Sequence, residues 1–229
     1  MSACPTGRTR WVAGSAVALA LLFAGAAAVA SARGDGAQAG PLTPTARSAD
    51  AGFARDMAVH HQQAVEMSFI VRDRTRDEDV RRLAYDIAHT QAGQRGMLLG
   101  WLDLWELPKT APEGQGPMAW MPPGTHGGHG AHGTAATRDA DTDGALMPGM
   151  ATRTELERLD GSEGKPAEIL FLQLMTDHHE GGVAMARGCA ERCTVPVEKR
   201  LAQGMVEAQQ SELDLMADML AARGAAPRP

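Results

Sequence analysis

The chain contains two copies of one segment, and this internal duplication limits its fold more than any other feature. Each copy carries a His-His doublet within the same frame of Phe and Met residues. Every position of the frame recurs 118 residues later without a gap, so that Phe53, Met57, His60, His61 and Met67 match Phe171, Met175, His178, His179 and Met185. Copies of about fifty residues are too small to bury separate cores, so we expect them to pack on each other in one domain.

Each copy predicts a helical hairpin. The frame residues recur at spacings of four and three, which places them on one stripe of an α-helix, and a second stripe follows at residues 83–101 and 201–219. Thr75 and Glu78 have the spacing of a capping box before the first of these second helices, and Thr194 can cap the other. We expect one histidine of each doublet to face inward and the other to lie at its flank.

The sequence therefore predicts an all-α fold, a four-helix bundle of two duplicated antiparallel hairpins joined by a long connection rich in Gly, Pro, His and Met. The capping box of Thr152 and Glu155 predicts one short helix at residues 152–159. No alternating apolar run bounded by turns indicates a strand. The predicted layout is a flexible linker at 33–47, the bundle at 48–222 (repeat 1 at about 50–107, connecting loop at about 108–150, repeat 2 at about 151–222) and a flexible tail at 223–229.

The N-terminus predicts export. Residues 11–32 carry no charge, follow Arg8 and Arg10, and end in a run of small residues that a signal peptidase accepts. Residues 1–32 are thus predicted to be a signal peptide or, since about 20 uncharged residues can span a bilayer, an N-terminal membrane anchor. Either alternative places the remaining chain outside the cytoplasm, secreted or held at the outer face of the membrane. The net charge of −6 argues against nucleic acid as a partner.

The residues around the doublets predict a metal site. The chain has 13 Met beside four Phe and one Tyr, and Met is preferred over Leu where His is near. A mixture of thioether and imidazole on one helical face favours Cu(I) over Zn, Mg or Fe. The predicted ligands are Met57, His60, His61, Met67, Met175, His178, His179 and Met185. The connection adds possible accessory ligands, namely Met118, Met121, His126, His129, His132, Met147 and Met150.

A second interpretation needs no metal. Hairpin geometry, with the first turn near residue 75, places His60 level with Gln91 and His178 level with Gln209. These side chains could hydrogen bond to each other and fix the register of the bundle, while the methionines fill gaps in the core. The protein would then be a structural or interaction bundle. Because the two halves are treated as equivalent, we expect substitution of His60 and of His178 to have similar effects.

Cys189 and Cys193 are the two cysteines that follow the apolar N-terminal segment. Side chains four residues apart on a regular helix have Cβ atoms about 5–6 Å apart, whereas a disulfide needs about 3.5–4.5 Å. The pair can form a disulfide if the helix ends or loosens between them. Otherwise it is a free thiol pair able to bind a soft metal.

No group of residues indicates catalysis. Di-iron bundles need Glu-x-x-His on two helices, and the chain contains none. A Ser-His-Asp order and a Gly-rich phosphate loop are also absent from the sequence. We therefore expect an exported, non-catalytic protein that binds copper as Cu(I) for buffering, resistance or transfer. A metal ion is the expected partner, and a protein that exchanges the metal could be a second.

Both frames resemble a known family signature. Met57-Ala-Val-His60-His61-Gln-Gln-Ala64-Val-Glu-Met67 and its counterpart from Met175 to Met185 are similar to the duplicated Met-x-x-His-His-x-x-Ala-x-x-Met pattern of the bacterial "domain of unknown function 305" family. The resemblance covers about residues 50–107 and 147–222. It implies a ferritin-like four-helix fold in exported proteins, some of which bind copper and contribute to copper resistance. By position it indicates the same eight Met and His ligands. The chain departs from the pattern at Gly182, where the signature has Ala.

Overall fold

Four long helices and one short helix make up the computed structural model, which describes residues 43–122 and 143–229. The helices are α1 (Ala49–Arg74), α2 (Glu78–Leu104), α3 (Arg153–Asp160), α4 (Gly164–Arg192) and α5 (Pro196–Ala222). Neither described range contains a β-strand. The all-α fold and the two helical hairpins predicted from the duplication are confirmed.

Helices α1 and α4 form the central pair of the bundle. Helix α1 packs on α2, α4 packs on α5, and α1 packs directly on α4. Asp50 at the start of α1 binds Thr194 just beyond the end of α4, while Thr75 just beyond the end of α1 binds Glu168 near the start of α4. The two hairpins therefore meet along their first helices, which run antiparallel.

Two apolar clusters fill the bundle, and the histidine doublets lie between them along α1 and α4. One cluster includes Phe53 and Met57 from α1 with Met185 from α4. The other includes Met67 from α1 with Phe171 and Met175 from α4. Because α1 and α4 are antiparallel, each cluster receives the early part of one repeat and the late part of the other.

Of the two capping boxes predicted from the sequence, one is present in the structure and the other is not. Thr152 and Glu155 form the predicted capping box at the start of α3, which is confirmed. The predicted capping box of Thr75 and Glu78 is wrong, because Thr75 ends α1 in an extended conformation and its hydroxyl donates to Glu168. Asp77 caps α2 instead, accepting a backbone hydrogen bond from the first turn at 2.9 Å.

Helix α5 receives its cap from the other hairpin. Its first residue is Pro196, and Val195 before it offers no capping side chain. The backbone N–H groups of Thr194 and Val195 donate to Oδ1 of Asp50 at 2.7 and 2.8 Å, and the Thr194 hydroxyl donates to Oδ2 at 3.2 Å. The predicted cap by Thr194 is therefore wrong. A carboxylate at a helix N-terminus is favoured by the helix dipole, and this one ties α1 to α5.

The residues near both ends of the described chain, which begins at residue 43 and continues to residue 229 after a gap at 123–142, contact the bundle. In the C-terminal segment, residues 223–229, predicted to be a flexible tail, the Arg223 side chain donates to Glu168 at 2.8 Å and Arg228 to Asp177 at 2.6 Å. Part of the predicted linker also makes contacts, since Arg55 donates to the Ala46 carbonyl at 2.8 Å. The predicted export segment, residues 1–32, lies outside the described residues. No helix in the described ranges is long and apolar enough to cross a membrane.

Candidate metal centre

All four histidines of the doublets are buried in the middle of the bundle. His60, His61 and His179 are 0% exposed, and His178 is 1% exposed. The second histidine of each doublet, expected at the flank of the inward stripe, is therefore as buried as the first. The reason is that α2 and α5 cover the flanks of the central pair, so that the second histidine of each doublet is enclosed as well.

The first histidines of the two doublets, His60 and His178, meet across the α1–α4 interface. Their ring centroids lie 3.8 Å apart with an interplanar angle of 32°. Nε2 of His178 lies 2.9 Å from the carbonyl oxygen of His60, and Nε2 of His60 lies 3.3 Å from the carbonyl oxygen of Pro148. Carbonyl oxygens only accept hydrogen bonds, so Nε2 carries the hydrogen in both rings.

The second histidines, His61 and His179, bind the outer helices. Nε2 of His61 lies 2.8 Å from Oε1 of Gln94 on α2, and Nε2 of His179 lies 2.7 Å from Oε2 of Glu212 on α5. These two contacts are related by the same shift of 118 residues as the sequence repeat. The duplication is therefore preserved at the outer pair, whereas the inner pair has two different partners.

The predicted pairing of histidine with glutamine is wrong by one helical turn. Gln91 and Gln209, expected level with His60 and His178, make no hydrogen bond to either ring, and both amide atoms of Gln91 are buried without a partner. The turn itself lies about where it was predicted, at residues 75–77, but the residue that faces α2 is His61, and it binds Gln94, one helical turn beyond Gln91. The expectation of similar effects for substitutions of His60 and His178 loses its basis, since neither leaves a glutamine without its partner.

The other ring nitrogen, Nδ1, is buried in all four histidines and has no hydrogen-bond partner among the described residues. Buried polar atoms are nearly always paired, and a bound ion is one of the few explanations for an exception. Metal-bound imidazoles commonly donate their other N–H to a carbonyl or carboxylate oxygen, which is the arrangement of the doublets. The four rings thus have the form that a metal ion requires, with Nδ1 as the ligand atom.

Burial also favours the neutral state of His60, His61 and His178, because it lowers the pKa of each ring. Removal from water lowers the pKa of His60 to about 4, and the hydrogen bond to the Pro148 carbonyl offsets this only in part. Burial and then the charge of His60 lower the pKa of His61 to about 3. Since metal ligation needs a neutral imidazole, protons do not compete for Nδ1 of these two histidines near pH 7.

The four predicted methionine ligands lie on both sides of the histidine layer. Met57, Met67, Met175 and Met185 are each 0% exposed. Met57 and Met185 belong to one apolar cluster, and Met67 and Met175 belong to the other. Each end of the layer therefore adjoins thioether side chains from both repeats.

The histidines do not converge on a single point. In the described ranges, the one group of three His, Cys, Asp or Glu ligand atoms that all lie within 4.8 Å of one another comes from Cys189, Cys193 and Glu198. In this geometry, an ion between the doublets would bind at most two imidazole nitrogens. Sulfur would have to complete its coordination, which suits a soft ion of low coordination number.

Part of the connection covers the inner histidine pair. Its residues 147–151 carry the Pro148 carbonyl, and the Gln63 amide binds both the N–H and the carbonyl of Ala151, at 2.7 and 2.9 Å. A Cβ on Gly181 would lie 2.0 Å from the Pro148 oxygen, so only glycine admits the loop at this place on α4. Neither Gln63 nor Gly181 was among the predicted site residues. The signal for the loop contact was the glycine pair Gly181-Gly182, which is unusual inside a helix such as α4.

Of the possible accessory ligands, the four methionines lie in the described part of the chain and the three histidines do not. Met118, Met121 and Met147 are buried and pack in the same apolar cluster as Met57 and Met185, and the partly buried Met150 packs against it. His126, His129 and His132 lie outside the described residues. The carboxylate of Asp56 fixes the segment before them, accepting from the Met118 N–H at 2.8 Å and the Trp120 indole N–H at 2.9 Å.

Cys189 and Cys193 form a disulfide in the structure, with their Cα atoms 4.8 Å apart. Helix α4 ends at Arg192, and Cys193 follows in an extended conformation. The second cysteine has therefore left the helix, which is the condition that the spacing of four residues imposes on a disulfide.

We expect Gly181→Ala to lower the free energy of unfolding by about 1–3 kcal/mol, as overpacking usually does. The added methyl group would collide with the Pro148 carbonyl and displace the loop from His60. Gly204→Ala on α5 is the matched control, because its Cβ would meet nothing within 4 Å. Alanine should stabilise that helix by about 0.5–1 kcal/mol. Urea unfolding distinguishes the two, and equal stabilisation of both variants would contradict the docking of the loop on α4.

We expect the free energy of unfolding to decrease as the pH falls from 6.5 towards 4.5. Because the pKa values of His60 and His61 are lowered in the folded state, the unfolded chain takes up protons first, at about 1.4 kcal/mol per pH unit for each histidine. Glu198 acts in the opposite direction above pH 4.5, because burial and Asp50 raise its pKa to about 9. The net loss should be at least about 1.4 kcal/mol per pH unit. Urea unfolding at several pH values measures it, and a flat profile would contradict the burial of neutral histidines.

The chain is similar to several solved structures. A DUF305 protein from Streptomyces coelicolor, described as secreted, is 60% identical with a TM-score of 0.68, and the match covers 81% of this chain and 99% of that one. A DUF305 fragment from Deinococcus radiodurans is 27% identical with a TM-score of 0.59, covering 76% and 96%. CopM in its Cu(I)-bound form is 18% identical with a TM-score of 0.54, covering 76% and 96%, and at this identity shows the fold alone.

A family model extends this similarity to the sequence itself. The model of the domain of unknown function DUF305 matches residues 50–220, which include both hairpins and both histidine doublets. No protein with a curated description matches the chain. The resemblance recognised in the Met and His pattern is confirmed, and the chain belongs to the DUF305 family.

Proposed function

We propose that this chain is an exported copper-binding protein whose doublet histidines and neighbouring methionines hold Cu(I) for buffering, resistance or transfer. One observation carries the proposal. Four buried imidazoles have their Nε2 atoms bound to oxygen, while their Nδ1 atoms have no partner. The candidate ligands are the Nδ1 atoms of His60, His61, His178 and His179, of which one ion would take at most two, with the sulfur atoms of Met57, Met67, Met175 and Met185.

The chemistry of these donors supports copper over harder metals. Imidazole nitrogen and thioether sulfur suit Cu(I), while Mg and Ca need several oxygen ligands. The nearest carboxylate, that of Glu212, is occupied by His179. CopM, which has the same fold, has Cu(I)-bound and Cu(II)-bound forms, and this supports copper as the metal for the present chain.

We infer a binding protein rather than an enzyme, placed outside the cytoplasm. The chain lacks the Glu-x-x-His pairs with which bundles of this architecture build di-iron centres. The apolar N-terminal segment and the Streptomyces coelicolor relative described as secreted both support export. N-terminal sequencing of the exported protein should give a start near Arg33, or the intact chain anchored in the membrane. An intact chain found free in the cytoplasm would exclude both forms.

The test of the function is the replacement of Met57, Met67, Met175 and Met185 together by Leu. The exchange keeps apolar volume and should cost the fold less than about 1.5 kcal/mol per site. We expect Cu(I) affinity, measured by competition with a Cu(I) chelator, to fall at least tenfold, since loss of even an outer-shell group costs roughly 10–100-fold. Residues 126–132 are deleted from all proteins, so that their histidines do not bind the metal.

The matched control replaces Met205, Met216 and Met219 by Leu. These residues are buried on α5 but lie outside the histidine frames, and we expect no change in Cu(I) affinity. Equal affinities for the parent and the variant of the four frame methionines would make those residues core filler. The packing interpretation would then replace the copper site.

A further inference from the structure

Three buried side chains at the junction of α4 and α5 have ligand atoms within 4.8 Å of one another, and the doublets contribute none of them. They are Cys189 near the end of α4, Cys193 just after it, and Glu198 in the first turn of α5. Their exposed fractions are 0%, 2% and 0%. The connection between the two helices is short enough to bring all three to one place.

Glu198 is the unusual member of this cluster. Both of its carboxyl oxygens are buried and accept no hydrogen bond from an N–H or O–H group in the described part of the chain, and its polar neighbour is a second acid, Asp50. Its neighbour Asp50 is already occupied by the N–H groups of Thr194 and Val195 and by the Thr194 hydroxyl. Burial and then Asp50 raise the pKa of Glu198, which is therefore uncharged at neutral pH. Two neighbouring buried acids are costly, and an ion that Glu198 could bind would explain its place.

The geometry points to a second metal site that forms only when the disulfide between Cys189 and Cys193 is reduced. Reduction frees two thiols, and their thiolates bind Zn²⁺ or a similar thiophilic divalent ion together with Glu198. A dithiol supplies the two electrons and two protons that open the bond, and leaves as its own disulfide. The ion then displaces one proton from each thiol and one from the carboxyl group.

The dimensions of the cluster fit such an ion. Two sulfur ligands at 2.3 Å from a tetrahedral Zn²⁺ lie about 3.8 Å apart. The present ligand atoms all lie within 4.8 Å, so small side-chain movements would bring them into coordination. Thiolate sulfur and carboxylate oxygen are both zinc ligands, and this donor set differs from the imidazole and thioether set of the doublets. The positive charge of the ion would also compensate the two buried acids, Asp50 and Glu198.

Cadmium titration of the full chain tests this site, because thiolate ligation of Cd²⁺ gives an ultraviolet charge-transfer absorption. All samples carry Cys4→Ser, so that Cys189 and Cys193 supply the only thiols. Half of each sample is reduced with a dithiol, which is then removed under nitrogen. Thiol titration of the reduced half should find both cysteines free. We expect one Cd²⁺ per reduced chain with the absorption band, and no band in the oxidised chain. Affinity should differ by at least about 100-fold between the two forms.

Two glutamine variants then test the carboxylate. Glu198→Gln keeps the shape of the side chain but removes the anionic oxygen, and should weaken Cd²⁺ binding at least tenfold in the reduced chain. Glu168→Gln is the control, a buried acid on α4 that is bound to Thr75 and Arg223, and should leave Cd²⁺ affinity unchanged. Equal binding by oxidised and reduced chains would overturn the proposal. So would an unchanged affinity of Glu198→Gln, or a disulfide that the dithiol does not open in the folded chain.

Discussion

Cu(I) affinity should fall by more than about 100-fold when His60 and His178 are both replaced by glutamine, while the bundle stays folded. The amide nitrogen of glutamine lies about where Nε2 of histidine lies, so it can still donate to the carbonyl oxygens of Pro148 and His60. What the substitution removes is the lone pair of Nδ1. The double variant therefore separates the ligand atom from the hydrogen bonds that position the ring.

Competition with a Cu(I) chelator measures the effect, and far-ultraviolet circular dichroism verifies the helical fold. His89→Gln is the matched control, because His89 lies exposed on α2 and has no place in the doublets. It should bind Cu(I) as the parent does. A folded double variant with the affinity of the parent would show that Nδ1 of the inner pair binds no copper.

The second large effect concerns stability, and we expect Asp50→Ala to lower the free energy of unfolding by about 3 kcal/mol or more. The N–H groups of Thr194 and Val195 would each lose a hydrogen bond to a charged group, worth about 1.5–3 kcal/mol. Since Asp50 belongs to the first hairpin and the N–H groups to the second, the loss should appear as weaker cohesion of the two halves.

Asp50→Asn distinguishes the charge from the hydrogen bond. Asparagine keeps one carbonyl oxygen as acceptor, so it should cost less than alanine in urea unfolding. If Asp50→Ala unfolds at the same urea concentration as the parent, the cap from α1 contributes nothing to the stability of the bundle.

The helices could be predicted from the sequence because their signal is local. The repeat of the Phe, Met and His frame indicates one helical stripe in each copy, and the structure places α1 and α4 there. The register between neighbouring helices could not be predicted as well. The turn at residues 75–77 lies close to its predicted place, yet its position alone does not decide which residue of α2 faces the doublet, and Gln94 rather than Gln91 binds there.

The hydrogen-bond partners of His60 and His178 could not be predicted from the helical periodicity of the sequence. His60 binds the carbonyl of Pro148, 88 residues along the chain, and a backbone acceptor leaves no mark in the side-chain pattern. The cap of α5 could not be predicted either, since Asp50 lies 145 residues before Val195. Both contacts depend on how the two hairpins and the connection fit together, which the spacing within one hairpin does not encode.

The unequal partners of His60 and His178 have a consequence for the history of the duplication. Two separate identical hairpins, associated as a dimer, would have an exact twofold axis, and the two central rings would need identical surroundings. The carbonyl of Pro148 comes from the segment that joins the hairpins, and it reaches one ring only. Fusion into a single chain is therefore what permits the two central rings to differ. A chain rebuilt from two first repeats would carry glutamine in place of Gly181 and would exclude the joining segment.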